Sequence, residues 1–480
     1  GRGVSYWTDG KGDDRILFVT TGYRLVALNA NTGQPIPGFG DKGIVDLKQG
    51  AIQGTGTQID LEKGEIGLHS TPTVVNDTVI IGSSFKEGFT VVTHNNTKGV
   101  VRAFDVRTGK MIWRFNTIPK PGEFGGDSWE ENSWSFNGNT GVWTQITADE
   151  ELGLVYLPVE TPTSDYYGGH RPGNNLFAES ILCLDMETGK RIWHFQTVHH
   201  GLWDYDNPAA PNLLDVTVNG RRIKALAQIT KQGFIYTFNR ETGEPVWPIQ
   251  ERPVPPSDIP GEKPSPTQPF PTKPPAFERQ GVTIDDLVDF TPELRAAALE
   301  AVKPFKIGPL FTPPTLQGTI MQPGASGGGN WSGAAVDPST GMLYVPSKQG
   351  YGVIRLEQRK QGERGNLNYL QATPRNPRMP DGVPLLKPPY GSVVKIDLNK
   401  GSIDWTVANG DGPRDHPLLK DKKLPPLGQP GRAGPLLTKS LLFLGEGDPA
   451  AAVNPPGGGG NIFRAYDKAT GAVLWSTDLG

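Results

Sequence analysis

Five times the chain spells an aspartate or asparagine, a short turn ending in glycine, and a tryptophan four places further on: DVRTGKMIW (105–113), DMETGKRIW (185–193), NRETGEPVW (239–247), DLNKGSIDW (397–405) and DKATGAVLW (467–475). Two degenerate copies, NANTGQPIP (29–37) and DPSTGMLYV (337–345), keep the turn and lose the tryptophan. The unit has a physical reading. An apolar strand such as SILCLD ends at the acidic residue, the glycine supplies a positive φ, and a second strand returns carrying the indole. A structure repeated at this scale buries its apolar faces by stacking one unit on the next. Radial stacking of small antiparallel sheets removes long exposed edges, so an all-β propeller is the leading fold. The turn glycines lie too far apart for minimal blades of about 40–50 residues, which predicts long loop insertions. All five tryptophans are expected to pack between blades.

Composition agrees with many short strands. The 480 residues include 62 Gly and 45 Pro and are only 36% hydrophobic, which disfavours a helical protein. A net charge of −3 offers no basic patch for nucleic acid or acidic lipid. The single cysteine, Cys183, rules out an intrachain disulfide and a zinc–thiolate cluster and reads as a core thiol. No run of about 18 apolar residues is present to span a bilayer. The chain opens on GRGVSYW without a methionine, so removal of a leader or first segment is expected. About seven turn units are counted, so strands outside this sequence are expected to complete a closed ring.

One stretch breaks the pattern. Residues 248–280, PIQERPVPPSDIPGEKPSPTQPFPTKPPAFERQ, are about one third proline and predict extended, polyproline-like chain on the surface. DFTPELRAAALEAVKPF follows, with Thr291 as N-cap and Pro292 in the first helical position, which predicts one short helix. The chain therefore reads as a single propeller domain over 1–480 with a proline-rich insertion and short helix at about 248–305.

The phrase TVHHGLWDYDNPAAP (197–211) carries the chemistry. Asp204 and Asp206, two apart in an extended segment, project the same way. Two carboxylates pointing together repel unless a cation or a proton lies between them. GASGG (324–328) satisfies the Gly-x-Ser-x-Gly pattern of hydrolases, but Pro323 precedes it and no helix follows, so it is not a nucleophile elbow. No dinucleotide or phosphate-loop fingerprint stands in a strand–helix context. His94 and His170 read as surface loop residues. His199 and His200 either reach the substrate or pack beneath the loop.

Six phrases in order, RGVSYW, YRLVALNANTGQPIPGFGDKGIVDL, WTQITADEELGLVYLPVETPTSDYYGGHR, TVHHGLWDYDNPAAP, TKQGFIYTFNRETG and LFTPPTLQGTIMQPG, give the chain a family look. It resembles the quinoprotein dehydrogenases, and within them the membrane-bound-type glucose dehydrogenase branch. The resemblance implies an eight-bladed β-propeller, here incomplete at both chain ends, holding pyrroloquinoline quinone (PQQ) and a metal ion. It implies that Asp204 is the catalytic base and that Lys231 hydrogen-bonds the quinone oxygens. Arg2, Ser84, Trp143, Asn330 and Trp331 are implied at the cofactor, with Trp143 as its stacking floor. Glu87, Thr161, Asp204 and Asp206 are implied at the metal. Thr161 stands where alcohol-oxidising relatives carry asparagine, and Glu160 beside it is able to substitute. The extra aspartate, Asp206, is shared with lanthanide-using alcohol dehydrogenases and with sugar-oxidising relatives. Calcium or magnesium is the expected ion, with a lanthanide as the alternative.

These residue types suit that chemistry. A hard cation takes oxygen ligands, and an anionic cofactor calls for arginine and lysine. An indole face supplies stacking area under a flat ring. The resemblance further implies a sugar, polyol or alcohol as substrate, with an aldose such as glucose favoured. It implies a membrane quinone or cytochrome as electron acceptor, since no Cys-x-x-Cys-His haem motif is present. A homodimer is compatible with it, and a periplasmic location, with membrane association through a segment outside this chain, is expected. The alternatives are a cofactor-free propeller scaffold of the outer-membrane assembly type and a methanol-type lanthanide enzyme.

Overall fold

A computed structural model describes residues 3–85, 91–373, 375–447 and 460–480. The Asp-x-x-Thr-Gly turns form as the sequence dictates. In DMETG the Asp185 Oδ1 accepts hydrogen bonds from the Thr188 amide (2.8 Å) and hydroxyl (2.6 Å), and the Gly189 amide closes onto the Asp185 carbonyl at 2.9 Å. Asp105 and Asp467 hold Thr108 and Thr470 in the same way. Gly189 sits at φ +68°, a region that a residue with a Cβ enters only at a cost.

Six antiparallel sheets in chain order are built on these turns, five with four strands and one with three. The first runs Ser5–Thr8, Asp14–Val19, Arg24–Asn29 and Ile44–Asp46. The second runs Thr73–Val75, Thr78–Ile81, Val100–Asp105 and Met111–Asn116. The third runs Thr147–Asp149, Leu154–Pro158, Ser180–Asp185 and Arg191–Gln196. The fourth has only Asn212–Val218, Arg221–Ile229 and Ile235–Asn239. Its return strand would run through Pro245 and Pro248, which cannot donate to a ladder. The fifth runs Ala335–Asp337, Met342–Ser347, Ser392–Asp397 and Ser402–Ala408, and the sixth Leu436–Leu437, Leu441–Gly445, Ile462–Asp467 and Val473–Asp478.

Neighbouring sheets pack face to face. Leu17 and Leu25 of the first meet Val79 and Ile81 of the second, and Leu343 and Val345 of the fifth meet Leu214 and Val216 of the fourth. Both faces of the inner strands are therefore covered, which is why SILCLD reads as a continuous apolar run. Cys183 lies fully buried within it, as expected. This is the all-β propeller that the repeat predicts. The described residues build six such sheets.

The tryptophans lock each sheet to the next turn. Trp113 lies over Gly189, where a Cβ would come within 2.6 Å of the ring, and its Nε1 donates to the Met186 carbonyl at 2.8 Å. Trp193 covers Gly243 and donates to the Arg240 carbonyl, and Trp405 covers Gly471 and donates to the Ala469 carbonyl. Trp247 lies against Gly401. The first copy has no tryptophan, and Val45 with the buried Phe39 lies against Gly109 instead. Trp475 departs from expectation: it is 51% exposed, because no later turn among the described residues lies beneath it.

Two further expectations are corrected. The proline-rich stretch is not simply surface coil, because Ile249–Pro253 pairs antiparallel with Thr267–Pro271. Pro253, Pro269 and Pro271 fall at alternate positions, so their donor-less nitrogens face away from the partner strand. Gln268, Ile259 and Phe277 of this stretch are buried. His94 and His170 are half-buried and stack on each other, with ring centroids 5.0 Å apart. The short helix forms over Pro292–Val302, with the Thr291 hydroxyl accepting from the Leu294 amide. No helix among the described residues is long and apolar enough to cross a membrane.

Candidate functional site: a carboxylate-lined cavity

Residues 203–206 are not an extended strand, since Asp204 sits at φ +56°, yet their side chains alternate in direction. Trp203 and Tyr205 point inward, each 1% exposed, and anchor to the carbonyls of Thr312 and Pro323. Asp204 and Asp206 point the opposite way, into a cavity of about 880 Å3. That volume lies within the range of about 300–1,000 Å3 usual for cofactor pockets.

The cation between the two aspartates is Lys231. Its Nζ lies 2.8 Å from Asp204 Oδ1 and also contacts Asp206, and the lysine side chain is 7% exposed. Burial works against the ammonium charge, but the two aspartates outweigh it and hold Lys231 above its ordinary pKa. The lysine sits on a tight turn, with Gly233 N bonded to the Thr230 carbonyl. Gly327 passes so close that a Cβ there would fall 2.6 Å from the Lys231 Cα. The glycines of GASGGGN thus allow one backbone to run under another, and no helix follows them.

Trp143 lines the same cavity, and its indole N–H donates to Asp206 Oδ2. Ser84, Thr161 and Glu160 also line the cavity. Glu160 Oε1 and Thr161 Oγ1 are buried without a hydrogen-bond partner. Burial, then Asp206 and Asp165, push Glu160 well above the usual carboxylate range. Asp204 is pushed up as well by burial, with Lys231 opposing and Asp165 and Asp206 adding to the rise.

Of the residues singled out from sequence, Ser84, Trp143, Thr161, Asp204, Asp206 and Lys231 line this one cavity. Asn330 and Trp331 do not. Asn330 instead donates to the Ser326 carbonyl, steadying a loop whose Ser326 does line it, and Trp331 is 39% exposed. Arg2 and Glu87 lie outside the described residues. Among the described residues no three histidine, cysteine or carboxylate side chains converge as a ready metal-ligand set. The donor chemistry nevertheless fits a hard cation, because four carboxyl groups (Glu160, Asp165, Asp204 and Asp206) share the cavity with one lysine. Sequence reasoning passed over His69, Asn139, Asp165 and Tyr166, which also line it. For Asp165 and Tyr166 the signal was their place in the phrase TPTSDYYGG.

His199 and His200 do not line the cavity. They tie the proline-rich insertion to the aspartate-bearing segment. Gln268 bonds both the amide (2.8 Å) and the carbonyl (2.6 Å) of His199. His200 Nε2 meets Glu262 at 2.8 Å, with both side chains buried.

The site is thus a large cavity in a six-sheet propeller, walled by carboxyls, one buried lysine and an indole. Comparison with known proteins makes the class specific. The description "PQQ: Glucose/ethanol/alcohol dehydrogenase, beta-propeller domain" matches residues 1–480, and the chain belongs to that family. It is 31% identical to the quinoprotein glucose dehydrogenase of Escherichia coli (strain K12), over 97% of this chain and 58% of that protein. It is 30% identical to the quinate/shikimate dehydrogenase (quinone) of Acinetobacter baylyi, over 97% of this chain and 57% of that protein. The chain therefore spans a little over half the length of these relatives. Among solved structures, a europium-containing methanol dehydrogenase superposes with a TM-score of 0.63 at 22% identity, over 100% of this chain and 68% of that one, a likeness of fold alone.

Proposed function

We propose that this chain is the PQQ-binding propeller of a dehydrogenase that oxidises a hydroxyl group of a sugar, polyol or alcohol. The observation that carries the reading is the pair Asp204 and Asp206, turned into one cavity and bridged there by Lys231. When bound, PQQ supplies the two-electron acceptor. Asp204 takes the proton of the substrate hydroxyl, and Lys231 presents its ammonium hydrogens to the cofactor's oxygens. Trp143 offers its ring as a wall for a flat ligand while Asp206 fixes its orientation through the indole N–H.

Glu160, Thr161 and Asp206 are the described residues that would hold the cation, with Glu87 from outside the described set. Calcium or magnesium suits such oxygen donors, and the Asp204–Asp206 spacing also suits a lanthanide. A cation there favours the ionised form of Asp204, as a base requires. An aldose is the favoured substrate, a quinone the favoured acceptor and the periplasm the favoured compartment. The carboxylate-lined cavity speaks against a cofactor-free scaffold.

The test is reconstitution. The purified chain is mixed with PQQ and calcium, magnesium or lanthanum, cofactor uptake is followed by its absorbance, and dye-linked oxidation of aldoses, polyols, quinate and primary alcohols is measured. Uptake with oxidation of one of these supports the reading. No uptake with any of the ions overturns it, and activity with lanthanum alone overturns calcium and magnesium.

A further inference from the structure

A buried carboxyl that is not part of the cavity wall sits against the turn that carries Lys231. Glu278, at the end of the proline-rich insertion, is 6% exposed. Its Oε1 accepts from the Gln322 side-chain amide at 2.7 Å, and its Oε2 from the Ser347 hydroxyl at 3.0 Å. Both partners are buried as well. Burial pushes the Glu278 carboxyl well above the usual carboxylate range. Burying an ionisable side chain costs stability that an apolar residue would not, so its presence here calls for a use.

Its surroundings show which use. Glu278 Oε2 fills the space that a side chain at Gly328 would need, 2.0 Å from where a Cβ would lie, and Glu278 Cβ would be 3.0 Å from a Cβ at Gly233. Gly328 donates its amide to the Lys231 carbonyl at 2.9 Å, and Gly329 donates to the Thr230 carbonyl. The neighbours of Glu278 hold the rest of the turn. The Phe277 amide donates to the Gly233 carbonyl at 2.9 Å, and the Gln280 side chain donates to the Gln232 carbonyl at 2.9 Å.

We infer that Glu278 is the positioning residue for Lys231: packed against Gly328 and Gly233, it fixes the turn from which the ammonium reaches Asp204 and Asp206. What this does for the reaction rests on the function proposed above. A lysine is a flexible stem with a point charge at its tip, so its ammonium is placed only as well as the backbone beneath it. A leucine at position 278 would leave the Gln322 amide and the Ser347 hydroxyl without their partner and let the glycine-rich crossing shift over the turn. A glutamine would keep both bonds, accepting from Gln322 and donating to Ser347.

The test compares the native chain with Glu278→Leu, Glu278→Gln and Gln322→Met. Each is treated with acetic anhydride in the absence of cofactor, and acetylation of Lys231 is read by mass spectrometry. Lys231 is expected to be protected in the native chain and in Glu278→Gln. In Glu278→Leu it should be labelled about 10-fold faster, the equivalent of one buried hydrogen bond's local stability, with the other lysines unchanged. After loading with PQQ and calcium, Glu278→Leu should weaken cofactor uptake about 10-fold and lower kcat about 100-fold, while KM for the substrate holds. Glu278→Gln should restore both. In a Lys231→Ala background, Glu278→Leu should cost nothing further. Where Glu278→Leu does not fold, Gln322→Met reads the same signature with one hydrogen bond removed. Unchanged labelling of Lys231 in these variants, or an equal loss in the Lys231→Ala background, overturns the inference. Failure of the native chain to take up PQQ strikes only the function proposed above, and the labelling still decides the place of Glu278.

Discussion

At the scale of single residues, the paired aspartates show how far a sequence speaks. Both do face one cavity, but not through the extended backbone that the spacing predicts, because Asp204 sits at φ +56°. That Lys231 is the charge between them depends on two loops meeting, and the family resemblance had pointed it at the quinone oxygens instead. Asn330 was placed at the cofactor because a phrase matched, whereas its amide is spent on the Ser326 carbonyl. Asp204→Asn in the reconstituted chain is expected to lower turnover about 10²–10⁴-fold while PQQ uptake, read by absorbance, persists.

Lys98 supplies a prediction on stability. It is buried, donates to the Trp134 and Asn137 carbonyls, and burial pushes its pKa down to about 7. An unfolded lysine titrates near 10.4, so between roughly pH 7 and 10 the unfolded chain holds a proton that the folded chain has lost. Stability from this group therefore rises with pH across that window, by up to about 1.4 kcal/mol per pH unit. Urea unfolding at pH 7, 8 and 9 should show the gap between the native chain and Lys98→Met shifting in favour of the native chain as pH rises. A constant gap would refute the burial argument.

At the scale of elements, what was legible is what forms within a few residues. The Asp-x-x-Thr-Gly turn and the Thr291-capped helix are self-contained, and both stand as read. The proline-rich stretch was misread because its strand pairing joins residues well separated in the chain, and because the spacing of Pro269 and Pro271 only makes sense once a partner strand is known. Trp475, exposed among the described residues, shows that a docking residue is defined by what lies beneath it, which its own nonapeptide cannot show. The two positions should therefore respond differently. Trp193→Ala, which uncovers Gly243 and the Arg240 carbonyl, is expected to cost about 3–5 kcal/mol, and Trp475→Ala less than about 0.5 kcal/mol, both by denaturant unfolding. Gly243→Ala should also destabilise, since φ is +76° and a Cβ would lie 2.7 Å from the Trp193 ring.

At the scale of the whole molecule, the insertion is part of the site's frame. Gln268 and Glu262 grip consecutive histidines a few residues before Asp204, so the aspartate-bearing segment is held from a stretch that looked like surface coil. The double variant Gln268→Ala, Glu262→Ala should speed amide hydrogen exchange over residues 199–204 and lower turnover with little change in PQQ uptake. Unchanged exchange would show that the segment is held by Trp203 and Tyr205 alone. The propeller architecture was legible from the repeat, but the missing return strand of the fourth sheet was not, because NRETGEPVW looks like the other copies until Pro245 and Pro248 are weighed as ladder residues. Substrate choice was not legible either, since it belongs to loops whose approach no local rule fixes.

The indole locks also have a direction. Trp113, Trp193 and Trp405 each belong to an earlier sheet and close on a later turn, at Gly189, Gly243 and Gly471. A ribosome delivers the indole first and its seat dozens of residues afterwards. While the nascent chain lengthens, its newest sheet keeps a bare aromatic face towards the cytosol or a chaperone until the next turn emerges. The stickiest moment in this protein's life thus recurs once per sheet, and a pause in translation just after a tryptophan codon is where misassembly should begin.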